Sequence, residues 1–287
     1  MKLSDAKRSL LVPAVLAVAA LASGCGFVNN LRAKNALNEG ARAYKDRRWT
    51  EAQEHFQRAL ELSPEQKNAR FFIARAIHAQ YKPGVEAPEN VAKARAAITA
   101  YQDVLNNDPQ NEEAYNAVVY LYRATKDEQK EREWLVQRAN LDSAPKEKRS
   151  QAFTVLASKQ WQCSYNITEQ KDNMVTVMKD DKATIQYKKP KEQKDFDEAV
   201  KCSTEGLQLA ERAISLDADS EQAWSYKTNL LLEMVKLAKM DNNTERATEY
   251  QKQADAAQQR TTQLNEVNKR KRDEEEKAKA AAKEAAG

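Results

Sequence analysis

The stretch 33–64, AKNALNEGARAYKDRRWTEAQEHFQRALELSP, constrains the fold most, because it has the pattern of two short amphipathic helices joined by a tight turn. Its small, aromatic and terminating residues are Gly40, Ala52, Phe56, Ala59 and Pro64. Small residues allow two helices to approach closely, and proline ends the second one. Looser copies of this unit follow along the chain. With only six glycines and seven prolines in 287 residues, the chain is predicted to be all-α and built from repeated helix pairs.

The first unit resembles a tetratricopeptide repeat, because Ala52-x₃-Phe56 supplies that family's A-x₃-F pair. Ala97-x₃-Tyr101 repeats the pairing in the second unit, and Trp49 is the aromatic residue that the family prefers at the turn. The family's early tryptophan, leucine and tyrosine are missing from the first helix, so a generic helical hairpin is the alternative. The resemblance implies an α-solenoid of about five helix pairs over residues 33–261.

The later units depart from the 34-residue period. The second, 67–109, is about ten residues longer than usual, with the excess in the loop Tyr81–Asn90. The third follows from Glu112, and the fifth starts at Ser220. The fourth is split by an insertion at 164–194, where apolar residues alternate with polar ones as in strands. These residues are Val175, Val177, Ile185 and Tyr187, with the turn at 179–182. We predict a β-hairpin that leans on the helices; a disordered loop is the alternative.

Residues 1–24 have the layout of an export signal, with a basic start, a twelve-residue apolar run at Leu10–Leu21, and small residues before Cys25. A bilayer-spanning helix needs about 20 apolar residues, so a permanent transmembrane anchor is the weaker interpretation. Leu21-Ala22-Ser23-Gly24-Cys25 resembles the bacterial lipoprotein lipobox. The resemblance implies cleavage before Cys25, lipidation of its thiol, and a short tether at 25–32. The alternative is an ordinary signal with an incidental cysteine.

Gly26 stands where an aspartate would retain enteric lipoproteins at the inner membrane, so this similarity implies an outer-membrane lipid anchor facing the periplasm. The net charge of the whole chain is +4, and residues 25–287 carry +2. This charge is too small, without a basic stripe, to predict nucleic-acid binding. Residues 262–287 form a charged tail, either an extension of the last helix or a frayed end. The basic run 269–272 lies beside glutamates that cancel its field.

Cys163 and Cys202 are the two other cysteines, and both lie in the fourth unit. Thiols pair in the oxidising space that an exported chain enters, so we predict a disulfide between them. It would close a loop of 38 intervening residues. Two reduced thiols are the alternative. A metal site is disfavoured because no histidine lies near in sequence, and we predict no metal and no cofactor.

The first helices of tetratricopeptide repeats line a concave groove, and the resemblance implies the same here. The predicted partner-binding residues are Leu37, Tyr44, Phe71, Arg75, His78, Asn116, Tyr120 and Arg123. They would suit an acidic or amphipathic polypeptide segment. Leu37 and Phe71 could equally pack between repeats. Leu37 and Ala41 stand where some eukaryotic members carry a lysine and an asparagine that clamp a C-terminal carboxylate, so that binding mode is not predicted.

No nucleophile motif, phosphate-binding loop or metal-ligand spacing occurs in the sequence, so we predict a non-enzyme. The predicted function is a protein–protein scaffold in cell-envelope assembly, with other envelope proteins as partners. The layout resembles that of outer-membrane lipoproteins that serve β-barrel insertion or pilus secretin assembly. The chain lacks the tyrosine-proline pairs that β-barrel helpers carry at repeat ends. The alternatives are a structural subunit of a surface complex or filament, and an enzyme or carbohydrate binder.

Overall fold

The computed structural model describes the backbone of residues 6–179 and 182–285, and the side chains of its first helix from residue 26 onward. The chain forms two compact units that meet in sequence between Glu131 and Arg132. Unit 1 contains α1 (Ala6–Lys45), α2 (Trp49–Leu62), α3 (Lys67–His78), α4 (Pro88–Asn107) and α5 (Glu112–Ala124). The next helix, α6 (Glu128–Ala139), runs across the boundary. The predicted all-α fold of successive helix pairs is confirmed.

The first helix pair packs through the residues that carry the repeat pattern. Ala52, Phe56 and Ala59 of α2 are buried, and α2 lies along α1. Gly40 allows the close approach, because a Cβ there would lie 2.6 Å from Cδ1 and Cε1 of Phe56. The same pattern works in α4, where Ala97 and Tyr101 are both buried. The A-x₃-F spacing therefore marks the residues at which paired helices touch.

In three helix pairs, the same type of turn joins the first helix to the second. In each, a residue in the left-handed region follows the first helix, with φ of 61°, 58° and 56° at Arg47, Lys126 and Asn242. The next backbone N–H then donates to the carbonyl five residues earlier at 2.8–2.9 Å, which satisfies a helix-end acceptor. These bonds are Arg48 to Ala43, Asp127 to Tyr122 and Asn243 to Ala238.

The long loop of the second pair is ordered by one side chain. Asn90, in the first turn of α4, accepts from the backbone N–H of Lys82 at 2.8 Å. Its amide donates to the carbonyls of Lys82 and Val85 at 2.8 and 2.7 Å. A buried asparagine thus replaces the backbone pairing that an irregular loop lacks. Pro88 begins α4 at a position where its missing N–H costs nothing.

Unit 2 continues with α7 (Lys146–Thr168), a 3₁₀ turn (Lys171–Asn173), β1 (Met174–Lys179) and β2 (Lys182–Tyr187). It ends with α8 (Gln193–Leu216), α9 (Glu221–Met240) and α10 (Thr244–Ala285). Helix α7 packs on α8 and α9, and α10 packs on α9. Gly206 of α8 makes one of these contacts possible, because a Cβ there would lie 2.5 Å from Leu230 Cδ2 and 2.9 Å from Gln160 Cβ.

The predicted hairpin is present as an antiparallel pair of β1 and β2, and Asp180 and Asp181 of its turn lie outside the described residues. Val177 pairs with Thr184, and Thr176 pairs with Ile185. Directly paired residues share a face, so Val175 and Val177 lie on one face while Ile185 and Tyr187 lie on the other. The alternation predicted in each strand is correct, but the register of the two strands places the two apolar sets on opposite faces.

Three predicted boundaries differ from the structure. The segment 25–32, predicted as a tether, is helical and belongs to α1, since no proline interrupts it. The insertion is shorter than 164–194, because α7 continues to Thr168 and α8 begins at Gln193. Packing also passes residue 261: Leu264 is buried, and Asn265 and Asn268 donate to the Glu221 carboxylate. Among the described residues, no helix is long and apolar enough to span a membrane.

Candidate functional site

The predicted groove lies in unit 1, on helices α1, α3 and α5. Tyr44 of α1 contacts Arg75 of α3, and His78 of α3 contacts Tyr120 of α5, so side chains of the three helices form one connected row. We call this row, made of Tyr44, Phe71, Arg75, His78 and Tyr120, the groove face. It combines four aromatic or imidazole rings with one guanidinium.

Arg75 stands at the α1 end of the groove face. Its guanidinium carbon lies 5.4 Å from the ring centroid of Tyr44 and 5.8 Å from that of Phe71. Such cation–π contacts hold a guanidinium in place without neutralising it. Arg75 is exposed, and it pairs with no carboxylate in the part of the chain that the structure describes. Its charge is therefore available to an acidic group of a ligand.

His78 occupies the middle of the groove face. Its Nδ1 lies 3.2 Å from the hydroxyl of Tyr101, and its ring centroid lies 5.6 Å from that of Tyr120. Burial, together with the nearby Arg75 charge, lowers the pKa of His78. Burial also raises the pKa of Tyr101, so the phenol keeps its proton. The His78–Tyr101 pair is thus a neutral hydrogen-bonding group at pH 7.

Tyr101 was not among the predicted partner-binding residues. Its position in the Ala97-x₃-Tyr101 pair predicts a core residue, and its side chain is indeed 3% exposed. The hydroxyl nevertheless reaches the groove face from α4 and orients His78. A tyrosine in place of the usual phenylalanine is the sequence signal for this polar contact.

Three other predicted groove residues have different roles. Leu37 packs against the core cluster of Ala43, Ala52, Phe56 and Ala76, which is the packing alternative considered for it. Arg123 donates from Nε and Nη2 to the buried carboxylate of Glu131 at 3.1 and 2.9 Å. This ion pair, formed within unit 1, neutralises much of the charge of Arg123. Asn116 is exposed on α5.

Beside the groove face, a cavity of about 110 Å³ opens between α1, α2 and α3. It is lined by Ala41, Tyr44, Phe56, Phe72 and Arg75. Its walls are aromatic except for Ala41 and the guanidinium of Arg75. One small apolar side chain of a ligand would fit there, within reach of the Arg75 charge.

In unit 2, the structure joins Cys163 of α7 to Cys202 of α8 through an S–S bond of 2.04 Å, with the Cα atoms 6.1 Å apart. The bond therefore ties together the helices on either side of the hairpin insertion. Glu198 Oε1 lies 3.7 Å from Cys202 Sγ, and the three residues could offer ligand atoms to a metal if the sulfurs were reduced. In the disulfide the sulfurs are not thiolates, the form in which cysteine binds metals.

A second polar arrangement, not predicted from the sequence, lies where the hairpin meets the helices. Lys236 Nζ bonds to Glu169 Oε1 at 2.5 Å and to Glu233 Oε1 at 2.7 Å. Glu233 also accepts from Thr168 at 2.8 Å, and Tyr187 of β2 donates to Glu169 at 2.8 Å. We call Glu169, Tyr187, Glu233 and Lys236 the hairpin base. It joins α7, α9 and β2 through one lysine.

The electrostatics of the hairpin base follow from its pairing. Burial opposes the charge of Lys236, yet its bonds to Glu169 and Glu233 raise its pKa. Burial also opposes the charge of Glu169, but Lys236 and Tyr187 together lower the pKa of that carboxyl. Both groups are therefore charged at neutral pH, and the Lys236 ammonium further lies 4.7 Å from the ring centroid of Tyr187. This arrangement holds the hairpin on the helices.

The predicted lipidation site, the Cys25 thiol, lies outside the side chains that the structure describes. Its backbone belongs to α1. Lipidation of Cys25 thus stays a prediction from the sequence.

No family model and no curated protein matches the chain. Among solved structures, a MamA protein is 10% identical, with a TM-score of 0.35 over 77% of this chain and 92% of that one. A structure of pilF from Pseudomonas aeruginosa is 13% identical, with a TM-score of 0.37 over 84% of this chain and 99% of that one. A tetratricopeptide repeat protein from Parabacteroides merdae is 12% identical, with a TM-score of 0.33 over 82% and 97%. Likenesses this weak carry no argument about partners. The fold of successive helix pairs is shown by the chain's own packing.

Proposed function

We propose that the protein is a scaffold that binds a polypeptide partner on the groove face. The observation that carries this proposal is the row from Tyr44 to Tyr120, in which Arg75 and Tyr120 remain exposed after their neighbours have packed. Aromatic residues and arginine are the side chains that contribute most often to binding energy at protein interfaces. No catalytic role is proposed for these residues.

The chemistry of the groove face indicates the kind of segment that would bind. The Arg75 guanidinium suits a carboxylate, and the neighbouring cavity of about 110 Å³ suits a small apolar side chain. The neutral His78–Tyr101 pair offers hydrogen bonds to a backbone or an amide. An acidic, amphipathic segment of another envelope protein meets all three requirements.

Photo-crosslinking in intact cells tests this proposal. A crosslinkable amino acid placed at Tyr120, exposed on α5, is expected to capture a second protein. The matched control is the same amino acid at Arg58, exposed on α2, which contributes no residue to the groove face. Equal capture from both positions, or none from Tyr120, would contradict a groove-bound partner.

We also propose that the scaffold is anchored in the outer membrane by acyl chains on Cys25 and faces the periplasm. The support is the lipobox-like sequence 21–25 after an apolar run too short to span a bilayer. Several acyl chains, at roughly 0.8 kcal/mol per buried CH₂, make a durable anchor. Cys25→Ser should remove the acyl mass and release the protein from washed membranes. Continued membrane association of that variant would contradict the anchor.

One observation favours the alternative of a structural subunit. On the hairpin, Met178 and Ile185 are 69% and 58% exposed, on the face that also carries Tyr187. Exposed apolar side chains on a two-stranded sheet are typical of a contact with another chain. A crosslinker at Ile185 should capture a second copy if this alternative is correct. Capture of a different protein from Tyr120 instead favours the scaffold.

A further inference from the structure

Among the side chains that the structure describes, the first helix carries three large apolar ones that are exposed. Phe27, Val28 and Leu31 are 75%, 45% and 55% exposed. At about 100° of rotation per residue, they fall within roughly a quarter to a third of the helix circumference. We call these three residues the N-terminal patch.

The N-terminal patch lies opposite the packed side of α1. The buried residues Ala33, Ala36 and Gly40 project about 130–190° away from the centre of the patch, toward the helices of unit 1. Asn30, between the two sides, accepts from Gln66 Nε2 at 2.9 Å and fixes the rotation of the helix against unit 1. The contacts that pack α1 against unit 1 therefore also keep the N-terminal patch on the opposite, exposed side of the helix.

The charge of the segment around the N-terminal patch indicates which kind of surface the patch would bind. Residues 25–48 contain six basic side chains and two acidic ones, a net charge of +4. Because the whole chain carries +4 and its first 24 residues carry +2, residues 49–287 carry −2. The net positive charge of residues 25–287 thus comes from the segment 25–48, which contains the patch. Exposed Arg32 and Lys34 stand beside it. Basic and apolar groups together on one helix are typical of binding to an anionic lipid surface.

The distance between the N-terminal patch and Cys25 also favours a lipid surface as the binding surface. The patch residues follow Cys25 by two, three and six positions in one continuous helix, which is roughly 3–9 Å along its axis. Apolar faces of interfacial helices enter a bilayer by about 5–10 Å. With acyl chains on Cys25, the patch would begin at the headgroups.

We propose that Phe27, Val28 and Leu31 insert into the headgroup region of an anionic bilayer. These side chains would then bind α1 to the membrane together with the acyl chains on Cys25. This inference rests on the proposed lipid anchor at Cys25. It adds a rigid contact between the bilayer and unit 1, because α1 continues from the patch into the packed helix pair.

Quenching by brominated lipids tests the contact. The Phe27→Trp variant of the full-length chain, produced with its own leader, is reconstituted in vesicles of phosphatidylethanolamine and phosphatidylglycerol with brominated acyl chains. We expect clearly more quenching than for the wild type, whose four tryptophans give the background. The matched control is Arg42→Trp, on the same side of α1 but 15 residues after Phe27, about 22 Å along the axis. We expect at least twofold more added quenching at position 27 than at position 42.

Three readouts separate the possible failures. Intact mass of the same sample shows whether Cys25 carries acyl chains, and their absence would overturn the anchor and this inference together. Acylated protein without added quenching at position 27 would overturn the inference alone. Emission at position 27 that is already blue-shifted without vesicles would place another protein or a second copy on the patch, and also overturns it.

Replacing phosphatidylglycerol by phosphatidylcholine should lower the added quenching about twofold, and no change would contradict the role of charge.

Discussion

The groove face of unit 1 and the hairpin base of unit 2 use similar residues in opposite ways. In the groove face, Arg75 lies over Tyr44 and Phe71 and pairs with no carboxylate in the described part of the chain. In the hairpin base, Lys236 lies near Tyr165 and Tyr187 but also neutralises two carboxylates. A cation on aromatic rings is therefore available for binding in one unit and used for internal structure in the other.

The difference lies in what surrounds each cation. Glu233 is 2% exposed and would be very unfavourable without Lys236, because a buried charge must be paired. Arg75 is paired with none of the carboxylates that the structure describes. Pairing, more than residue type, therefore separates the structural cation Lys236 from Arg75, the cation proposed to bind a ligand. Four variants test how the two units differ, from the largest expected effect to the smallest.

Replacing Cys163 and Cys202 together by serine should give the largest loss of stability, about 4 kcal/mol, from the regained entropy of the 38-residue loop. Thermal unfolding of oxidised wild type and the double variant measures the loss, and unit 2 should be affected while the groove face keeps its partner. Wild-type protein isolated without reductant should contain the disulfide by peptide mass spectrometry. Free thiols on both cysteines would refute the bond.

Lys236→Met should cost about 3 kcal/mol in the free energy of unfolding, because it leaves Glu233 buried without its cation. The matched control is Lys227→Met. Lys227 lies on the same helix with similar exposure and also has an ion pair, but its partner Glu211 is 54% exposed. That pair should contribute less than about 1 kcal/mol. Similar losses for the two variants in denaturant titrations would contradict the structural role of Lys236.

Gly40→Ala should cost about 2 kcal/mol in unit 1, since the new Cβ would lie 2.6 Å from the Phe56 ring and force the first helix pair apart. Gly26→Ala is the control, because it lies in the same helix with no atom within 4 Å of the added Cβ. Both variants are compared by circular dichroism during thermal unfolding. A neutral Gly40→Ala would show that α1 and α2 are less tightly packed than described.

Arg75→Ala should change stability least, by less than about 1 kcal/mol, because it removes only exposed cation–π contacts. It should nevertheless abolish most of the crosslinking from Tyr120. This combination would separate a binding cation from a structural one. Loss of stability without loss of crosslinking would reverse the comparison between the two units.

The sequence predicts the fold well wherever contacts are local. Ala52 and Phe56 stand four residues apart on one helix face, and the same spacing recurs at Ala97 and Tyr101, so periodicity alone locates the core. The hairpin base is different, since Glu169 and Lys236 are 67 positions apart. A glutamate or lysine in an amphipathic helix normally faces solvent, and only the packing of α7, α9 and β2 shows otherwise.

Partner binding on the groove face stays a prediction, and the structure bears only on where the predicted residues lie and what they contact. Tyr44, Arg75, His78 and Tyr120 follow from the facing of first helices, which periodicity fixes. The engagement of Arg123 with Glu131 depends on a partner in the next helix, α6, whose orientation no local pattern gives. The role of Tyr101 depends on a hydroxyl that reaches across from α4. Pairwise polar contacts between elements were therefore the part that the sequence left open.

The recurring turn at Arg47, Lys126 and Asn242 has a practical consequence for engineering. The left-handed backbone there is unfavourable for arginine and lysine, while asparagine tolerates it and glycine adopts it freely. Arg47→Gly and Lys126→Gly should each raise the melting temperature by a few degrees, measured by calorimetry, with Asn242→Gly changing it less. None of these three residues belongs to the groove face, so a more heat-resistant version of this protein should keep its binding behaviour intact.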